Sequence, residues 1–427
     1  MFLATEEEMS KKEKELELLQ MEMNRRAFLK KSAAAGAAVS MMGLGMAQQQ
    51  PTADQVVRGK NPKLVVLSSR PVVMESTLEL LGSERITSKA NLFIRNNIDL
   101  PGLNTTEPNV QPNWEVEVTG LIDKPFKITV DELSKLPQTE VTSVLQCSGN
   151  GRSFFNPRPS GNPWTYGGVG HVTWRGVLLK TLLEAKGAKL DPRARFITMN
   201  ASTQGGVLPY EKSFPISVME YNSAMLALGM NGEPLPAVHG GPVRLVAAGT
   251  FGTTNVKWIV KLEFAASEST SAEQVPRYRV PVLPGWNTPI LPTQPGSRYN
   301  YTLENSRSNW GANINSFILS PLPGSSVKGR LVELRGVAWN DGLAPIESIE
   351  VSVNGGTSWR RAIIEREHGK FGWYQWVSPQ LLAPGEYEAM VRATDALGRS
   401  QPMNGNIWWN ERGYEWNGVM RVKFRVT

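Results

Sequence analysis

A proline-rich segment divides this chain into two parts whose hydrophobic patterns differ. The segment covers residues 281–298 and contains five prolines: Pro281, Pro284, Pro289, Pro292 and Pro295. Proline has no backbone N–H to donate to a helix interior or a central strand, so this stretch predicts a linker or a strap across a surface. The chain of 427 residues is also too long for one compact core. We therefore predict separate domains over residues 51–298 and 299–427.

The second part has the pattern of a β-sandwich. Apolar and polar residues alternate along three stretches. The apolar positions are Ile349, Val351 and Val353, then Tyr387, Ala389 and Val391, then Met420, Val422, Phe424 and Val426. A turn signal, Asn354-Gly355-Gly356, follows the first stretch. Eight of the thirteen tryptophans lie between Trp310 and Trp416, where they can fill a core between two sheets. These features predict an all-β immunoglobulin-like sandwich.

The first part mixes strand and helix signals without regular alternation. Apolar runs typical of strands occupy residues 114–118, 141–145, 195–199, 243–247 and 256–264. Residues 177–183 have helical spacing, and Gly187 follows as a stop signal. Residues 50–75 are polar and contain proline, which predicts an extended lead-in. The mixed order favours an α+β domain over a doubly wound sheet, and no Gly-rich nucleotide-binding motif is found.

Residues 1–50 are predicted to be an N-terminal extension followed by an export signal. Arg25 and Arg26 precede an apolar run of small residues over 33–47. This run is shorter than the ~20 residues that a membrane-spanning helix needs. Adjacent arginines before such a run are typical of a twin-arginine signal. We therefore expect export by the twin-arginine machinery and a periplasmic protein; an uncleaved anchor or a chance basic stretch is the alternative.

The scarcity of metal-binding side chains excludes several kinds of site. Cys147 is the only cysteine, which excludes intrachain disulfides, cysteine-based zinc or iron–sulfur sites and a covalent c-type haem. The three histidines, His171, His239 and His368, are too few for a typical multi-histidine zinc centre. The net charge of +7 suits an anionic substrate or partner. The basic residues do not form the stripe with interleaved aromatics that nucleic-acid binding requires, so no nucleic acid is expected.

Cys147 stands where an apolar run ends and a glycine-rich loop begins, in the string Gln146-Cys147-Ser148-Gly149-Asn150-Gly151-Arg152. A lone cysteine is usually a small buried hydrophobe. Here the two glycines allow the backbone to approach a ligand closely, and the arginine favours the thiolate. A thiolate is a soft ligand for a transition metal. It is also a nucleophile, although no neighbouring residue supplies a base.

A second group of residues suits a phosphate. His239 and Arg244 bracket a Gly-Gly-Pro-Val string, and Lys257 follows Thr253-Thr254-Asn255-Val256. A histidine, an arginine and a lysine among glycines and threonines make a cationic pair of loops that is rich in donors. Solvated charges on turns are the alternative explanation.

In their order along the chain, these motifs resemble the sulfite oxidase family of molybdenum enzymes, which bind molybdopterin. The resemblance covers most of residues 85–427. The matching strings are Phe93-Ile94-Arg95-Asn96-Asn97, the Cys147 loop, Met230-Asn231-Gly232-Glu233-Pro234-Leu235-Pro236, the His239 loop and Asn255-Val256-Lys257-Trp258. The resemblance implies an α+β molybdopterin-binding domain with the sulfite oxidase fold. It also implies that the immunoglobulin-like sandwich is the family's dimerisation domain, and hence a homodimer.

The resemblance also implies a role for each matching residue. Cys147 matches the family's single protein ligand to molybdenum. Arg95 and Arg152 match arginines that face the substrate oxyanion, and Tyr278 falls near the position of the active-site tyrosine. The residues implied to line or hold the molybdopterin are Phe93, Ile94, Arg95, Asn96, Asn97, His239, Arg244, Asn255, Val256 and Lys257.

Three departures from the family pattern concern the substrate more than the cofactor. Asn97 stands where the family usually has a histidine. Arg277 stands where the animal enzymes carry an acid. Residues 154–161 resemble an insertion.

The function implied by the resemblance is oxidation of a sulfur oxyanion, most simply sulfite to sulfate by oxygen-atom transfer. No haem motif is found in the chain, so a separate c-type cytochrome is expected to accept the electrons. Within the family, the alternative is a sulfane dehydrogenase that acts on carrier-bound sulfur. The family's methionine-sulfoxide reductase is a weaker alternative, because it lacks the sandwich. The alternative from another class is a non-catalytic exported binding protein with a decayed site.

Overall fold

A computed structural model describes residues 51–98, 102–202, 210–282, 295–403 and 409–427. The predicted N-terminal extension and twin-arginine signal lie outside these ranges, as does most of the proline-rich segment. In the described ranges, no helix is both long enough and apolar enough to cross a membrane.

The first part of the chain contains short strands and a few short helices. The strands are β1 (Val65–Ser69), β2 (Val72–Glu75), β3 (Ile94–Arg95), β4 (Glu115–Gly120), β5 (Phe126–Thr129), β6 (Thr139–Gln146), β7 (Val169–Leu178), β8 (Phe196–Ala201), β9 (Glu211–Pro215), β10 (Met225–Met230), β11 (Glu233–Pro234), β12 (Arg244–Val246), β13 (Ile259–Ala265) and β14 (Arg279–Pro281). The helices are α1 (Ala53–Val56), α2 (Leu78–Ser83), α3 (Val130–Ser134), α4 (Leu179–Ala185) and α5 (Ser217–Tyr221), with 3-10 turns at Arg152–Phe154 and Ala237–His239.

Two sheets hold the core of this α+β domain. One has the order β11-β10-β7-β6, with β12 also paired to β10, and the other has the order β5-β4-β13-β8-β9. A third sheet, β1-β2-β3, carries the segment that leads to Arg95. Side chains from both larger sheets form one apolar cluster, which includes Val116, Val177, Leu226 and Leu262. The predicted α+β class is confirmed.

Two local predictions for this domain are wrong. The predicted extended lead-in over residues 50–75 is wrong, because its described part, residues 51–75, contains α1, β1 and β2. The predicted helix over residues 177–183 begins only at Leu179, since Val177 and Leu178 pair with Leu226 and Met225 of β10. Their apolar side chains satisfy a helical pattern, but the sheet register decides their conformation.

The second part of the chain is the predicted sandwich. Its strands are β16 (Asn315–Ser320), β17 (Ser326–Val327), β18 (Leu331–Trp339), β19 (Ile346–Ser352), β20 (Arg360–Arg361), β21 (Ile363–Glu367), β22 (Tyr374–Leu381), β23 (Gly385–Asp395) and β24 (Met420–Val426). One sheet has the order β16-β18-β22-β21 and the other β17-β24-β23-β19-β20. A further strand, β15 (Ser306–Ser308), pairs instead with β14 of the first domain.

The sandwich packs behind the strand that leads to Cys147. The Trp339 indole N–H donates a 3.0 Å hydrogen bond to the Gln146 side-chain oxygen. The backbone N–H of Val144 donates to the carbonyl of Phe371 at 2.9 Å. The end of β6 is therefore supported by both domains, which restricts its motion.

Candidate active site and cofactor cavity

Cys147 directly follows β6, at the start of the predicted glycine-rich loop. Its N–H donates to the Gly168 carbonyl at 2.8 Å, and its carbonyl accepts from Asn150 N–H at 2.9 Å. Gly151 has a φ of 82°, and a Cβ at this position would overlap the indole ring of Trp416. Only glycine meets both constraints. The loop conformation therefore fixes the half-buried thiol.

The buried Glu75 side chain supports the Cys147 loop through the backbone of residues 165–167. Glu75 is 3% exposed and accepts hydrogen bonds from the backbone N–H groups of Thr165 and Gly167. Burial raises the pKa of Glu75, because the charged form loses its hydration. The carbonyl of Thr165 in turn accepts from Gly151 N–H at 2.7 Å. Glu75 thus positions the backbone against which the Cys147 loop packs.

A cavity opens beside the Cys147 thiol. Of the predicted site residues, those that line it are Phe93, Arg95, Asn96, Asn97, Cys147, His239, Arg244, Asn255, Val256, Lys257 and Tyr278. Ile94 does not line it, contrary to expectation. Its side chain is fully buried in an apolar cluster with Val72 and Val238, because neighbouring residues of a strand face opposite ways.

Buried cations surround the end of this cavity that lies near His239. Arg244 donates to the carbonyls of His239 and Asn255 at 2.8 and 2.7 Å, while its Nε has no partner in the structure. The Lys257 ammonium donates to the carbonyl of Val238 at 2.9 Å. Within the described ranges, no carboxylate pairs with either cation.

The pKa values of these cations are lowered by burial and, for Lys257, also by neighbouring positive charges. Burial lowers the pKa of Arg244 to about 9. Burial lowers the pKa of Lys257 well below its usual range, and the nearby charges of Arg244, Lys60 and Arg95 lower it further. A bound anion would reverse these effects. The cavity therefore suits an anionic ligand whose charged end lies near His239.

The side-chain amide of Asn255 forms hydrogen bonds with other protein groups instead of pointing its N–H groups at a ligand. Its side-chain oxygen accepts from Ala247 N–H at 2.9 Å, and its amide donates to the Phe251 carbonyl and the Thr250 hydroxyl. All of these groups belong to the loop that carries Asn255, so this side chain holds the shape of the cavity wall.

A second, open cavity meets the first at Cys147. Arg95, Asn97, Cys147 and Tyr278 line both cavities, whereas Arg152 lines only the second. Cys147 therefore lies where the two cavities meet. The first cavity leads to the buried cations near His239, and the second, open cavity is lined by Arg95 and Arg152.

Arg152 is held in this second cavity by the C-terminal part of the chain. Its Nε donates to the carbonyl of Arg412 at 2.9 Å, and its Nη1 donates to the carbonyl of Asn162 at 3.0 Å. Its guanidinium also lies 5.4 Å from the ring centroid of Tyr414. The predicted insertion contributes Ser160 to the wall of the same cavity.

Tyr278 is positioned from three sides. Asn97 donates to its hydroxyl at 2.9 Å, and Tyr414 stacks on its ring at a centroid distance of 5.5 Å. The buried Lys212 ammonium lies 5.0 Å from the ring centroid. The backbone of Tyr278 has a φ of 56°, an uncommon conformation for a residue with a side chain. Such strain persists where the surroundings determine it, often at functional sites.

The neighbour of Tyr278, Arg277, also lines the second cavity. Its side chain is 56% exposed and pairs with Glu273. The departure at this position therefore places a further cation on the wall of the open cavity.

Comparisons with known proteins identify the family. Residues 104–273 match the oxidoreductase molybdopterin binding domain, and residues 306–427 match the Mo-co oxidoreductase dimerisation domain. The mitochondrial sulfite oxidase of Mus musculus is 30% identical over 388 residues, which cover 88% of this chain and 68% of the mouse protein. This chain belongs to the sulfite oxidase family.

Two further comparisons agree with this assignment. The mitochondrial sulfite oxidase of Drosophila melanogaster is 29% identical over 379 residues; the match spans 84% of this chain and 62% of the fly protein. The sulfane dehydrogenase SoxCD of Paracoccus pantotrophus has the same fold, with a TM-score of 0.68 at 23% identity. That match covers 89% of this chain and 92% of the SoxCD chain.

The residues present fit the family's molybdenum cofactor. The cavity joins one thiol to a group of buried cations, and among the described residues none accepts a hydrogen bond from the buried Nε of Arg244. A ligand with a soft metal at one end and a phosphate at the other would satisfy both ends. In the described part of the chain, no cluster of three or more His, Cys, Asp or Glu side chains forms a separate metal site.

Several residues of this candidate active site were not identified from the sequence. Arg412 and Tyr414 line the second cavity, Tyr210 lines the first, and Lys60 lies beside His239. Tyr210 is held by a 3.0 Å hydrogen bond from its hydroxyl to the Thr253 carbonyl. The local sequence gives no signal for these residues, because each reaches the site only through long-range packing.

Proposed function

We propose that this protein oxidises sulfite to sulfate and passes the electrons to a separate c-type cytochrome. The observation that carries the proposal is the convergence of Arg95, Arg152 and Tyr278 on an open cavity whose inner end is Cys147. Arginine forks bind the oxygens of a small oxyanion through charge-assisted hydrogen bonds.

The protein side of the reaction follows from the two cavities. His239, Arg244 and Lys257 would hold the phosphate end of the cofactor, and the Cys147 thiolate would hold its molybdenum. The bound cofactor supplies the two-electron oxidation and the transferred oxygen atom.

Arg95 and Arg152 bind the sulfite oxygens, which orients the sulfur toward the Cys147 end of the cavity. Tyr278 presents its hydroxyl at the junction, where Asn97 holds it. Asn97 does not titrate, so this contact persists across the working pH range.

We further propose a homodimer, export through the twin-arginine machinery and a periplasmic location. The match of residues 306–427 to a dimerisation domain supports the first. The adjacent Arg25 and Arg26 before a short apolar run support the other two.

The decisive experiment uses the full chain, matured in a host that makes molybdopterin. Molybdenum content is measured together with sulfite-dependent reduction of ferricyanide and of a c-type cytochrome. About one molybdenum per chain with rapid sulfite turnover is expected. Molybdenum without sulfite turnover would overturn the sulfite assignment and direct the assay to carrier-bound sulfane sulfur. Absence of molybdenum would favour a non-catalytic binding protein.

Two variants test the roles of the residues. Cys147→Ser should retain the fold and the pterin but lose turnover; normal turnover would refute the ligand assignment. Arg152→Gln should raise the sulfite KM by roughly 10- to 100-fold, because a charge-assisted hydrogen bond is lost. Arg158→Gln is the matched control, since Arg158 is exposed on the same loop. Equal effects in both variants would refute the role of Arg152.

A further inference from the structure

Lys60 is a buried lysine that lies outside both regions matched by the family's domains. Only 2% of its surface is exposed. Its ammonium nitrogen lies 2.9 Å from His239 Nε2 and 2.5 Å from the carbonyl oxygens of Lys89 and Leu92. It thus joins the loop before Arg95 to the histidine of the cofactor cavity.

The fold around Lys60 is built to place this side chain inside. Gly59 has a φ of 85°, and a Cβ there would overlap the Thr106 hydroxyl. The N–H of Gly59 donates to Asp54 at 2.8 Å, which closes the turn after α1. Ala53 and Val57 anchor this turn in an apolar cluster that also contains Val238, the neighbour of His239.

The position of Lys60 is electrostatically unfavourable without a ligand. In the described ranges, no carboxylate approaches its ammonium, which contacts two carbonyls and one imidazole. Lys60, Arg244 and Lys257 together lower the pKa of His239, in addition to the effect of burial. Buried like charges are tolerated when a counter-ion completes the site.

The contacts of Lys60 also assign the tautomer of His239. An ammonium group has three hydrogens to donate and no lone pair. Burial lowers the pKa of Lys60, and an anion bound in the cavity would favour its charged form. In that form two hydrogens go to the carbonyls of Lys89 and Leu92 and the third goes to His239 Nε2, which then accepts at 2.9 Å; the other contact of Nε2, with the Lys89 carbonyl, is longer at 3.4 Å. The ring hydrogen of neutral His239 is therefore on Nδ1, which becomes the donor that the ring offers to a ligand of the cavity it lines.

We propose that Lys60 is a positioning residue of the cofactor's phosphate site, where it supplies positive charge and holds His239 as an Nδ1–H donor. The segment that precedes the molybdopterin-binding domain thereby supports the cavity wall at His239. This inference rests on the molybdenum cofactor and is independent of which sulfur compound is oxidised.

The test compares loaded protein with apoprotein made in a host that lacks molybdopterin synthesis. Lys60→Gln keeps an N–H donor but removes the charge. We expect the variant apoprotein to have a Tm equal to or above that of the parent, because a buried unpaired charge is removed. The rise in Tm on loading should shrink, and molybdenum and pterin should be released about 10- to 100-fold faster, as is usual when a supporting contact of a metal site is lost.

Lys63→Gln is the matched control. Lys63 follows Lys60 by only three residues, but its side chain is 60% exposed and pairs with Glu79. The control variant should leave both Tm values and the release rate unchanged. If Lys60 merely supported the fold, Lys60→Gln would lower the Tm of the apoprotein and of the loaded protein equally. The rise in Tm on cofactor loading would then be unchanged, which would overturn the proposal. An unchanged release rate would also overturn it.

A second measurement covers the case in which the variant apoprotein does not accumulate. Loaded Lys60→Gln is held below its unfolding transition while molybdenum release and circular dichroism are followed together. Release from protein that remains folded supports the proposal. Release that occurs only as the circular dichroism signal is lost overturns it.

Discussion

Acidification should destabilise this protein through one buried histidine, His171 on β7. Its side chain is fully buried, and its Nδ1 lies 2.8 Å from the carbonyl of Arg85, to which it donates. Its Nε2 accepts from the backbone N–H of Trp373, and its ring stacks on the Trp373 indole at 5.0 Å. Both ring nitrogens are thus used in the neutral form, at a contact between the catalytic domain and the sandwich.

The pKa of His171 sets the size of the effect. Burial lowers it from 6.5 to about 4, and the nearby His368 contributes in the same direction. Below pH 6.5 the unfolded chain binds a proton that the folded chain does not bind until about pH 4. Stability is therefore complete above pH 6.5 and is lost as the pH falls through this window. At about 1.4 kcal/mol per pH unit, the loss is about 3 kcal/mol.

The assay is urea unfolding of the parent and of His171→Gln, followed by tryptophan fluorescence between pH 7.5 and 4. The variant should be less stable at pH 7.5 by about 1–2 kcal/mol, because its hydrogen bonds fit less well. The difference should vanish or reverse near pH 4, since glutamine does not titrate. His368→Gln is the control and should retain most of the parent's slope. Parallel curves for parent and His171→Gln would refute the reasoning.

Three further predictions concern the active site. Gly151→Ala should lower both Tm and molybdenum content, because the added Cβ would clash with Trp416. The control is Gly324→Ala, which has a φ of 74° and open space around it and should lower only Tm. Equal molybdenum content in the two variants would contradict this prediction. Lys212→Met should reduce kcat by roughly three- to tenfold at unchanged sulfite KM, because it removes the cation that lies against the Tyr278 ring. Lys212→Arg should restore most of the lost kcat. An unaffected kcat in Lys212→Met would show that this cation does not position Tyr278 for turnover. Tyr278→Phe should reduce kcat about 10- to 100-fold in stopped-flow turnover without loss of molybdenum; full activity would remove the hydroxyl from the mechanism.

The parts of the site that could be predicted from sequence are those encoded in short contiguous strings. Cys147 follows a single strand and precedes two nearby glycines, so its place at a strand end was visible locally. The sandwich was equally visible, because alternating patterns mark three of its strands and a turn signal follows one of them, without reference to their partners.

The parts that escaped prediction depend on residues far apart in the chain. Lys60 meets a histidine 179 positions away, and Arg152 is held by the carbonyl of Arg412, 260 positions away. Ile94 was assigned to the cofactor because it belongs to a matching string, but the alternation of β3 turns its side chain into the core.

Sequence alone determined the family and the order of an α+β domain and a sandwich, and it proposed Cys147 as the metal ligand, because each follows from local pattern or from a residue type that occurs once. The tertiary structure alone decided which charges are buried together and which carbonyls and rings hold them. That distinction is physical: the cost of burying Lys60, Arg244 and Lys257 without a carboxylate exists only once distant segments exclude water from the same cavity.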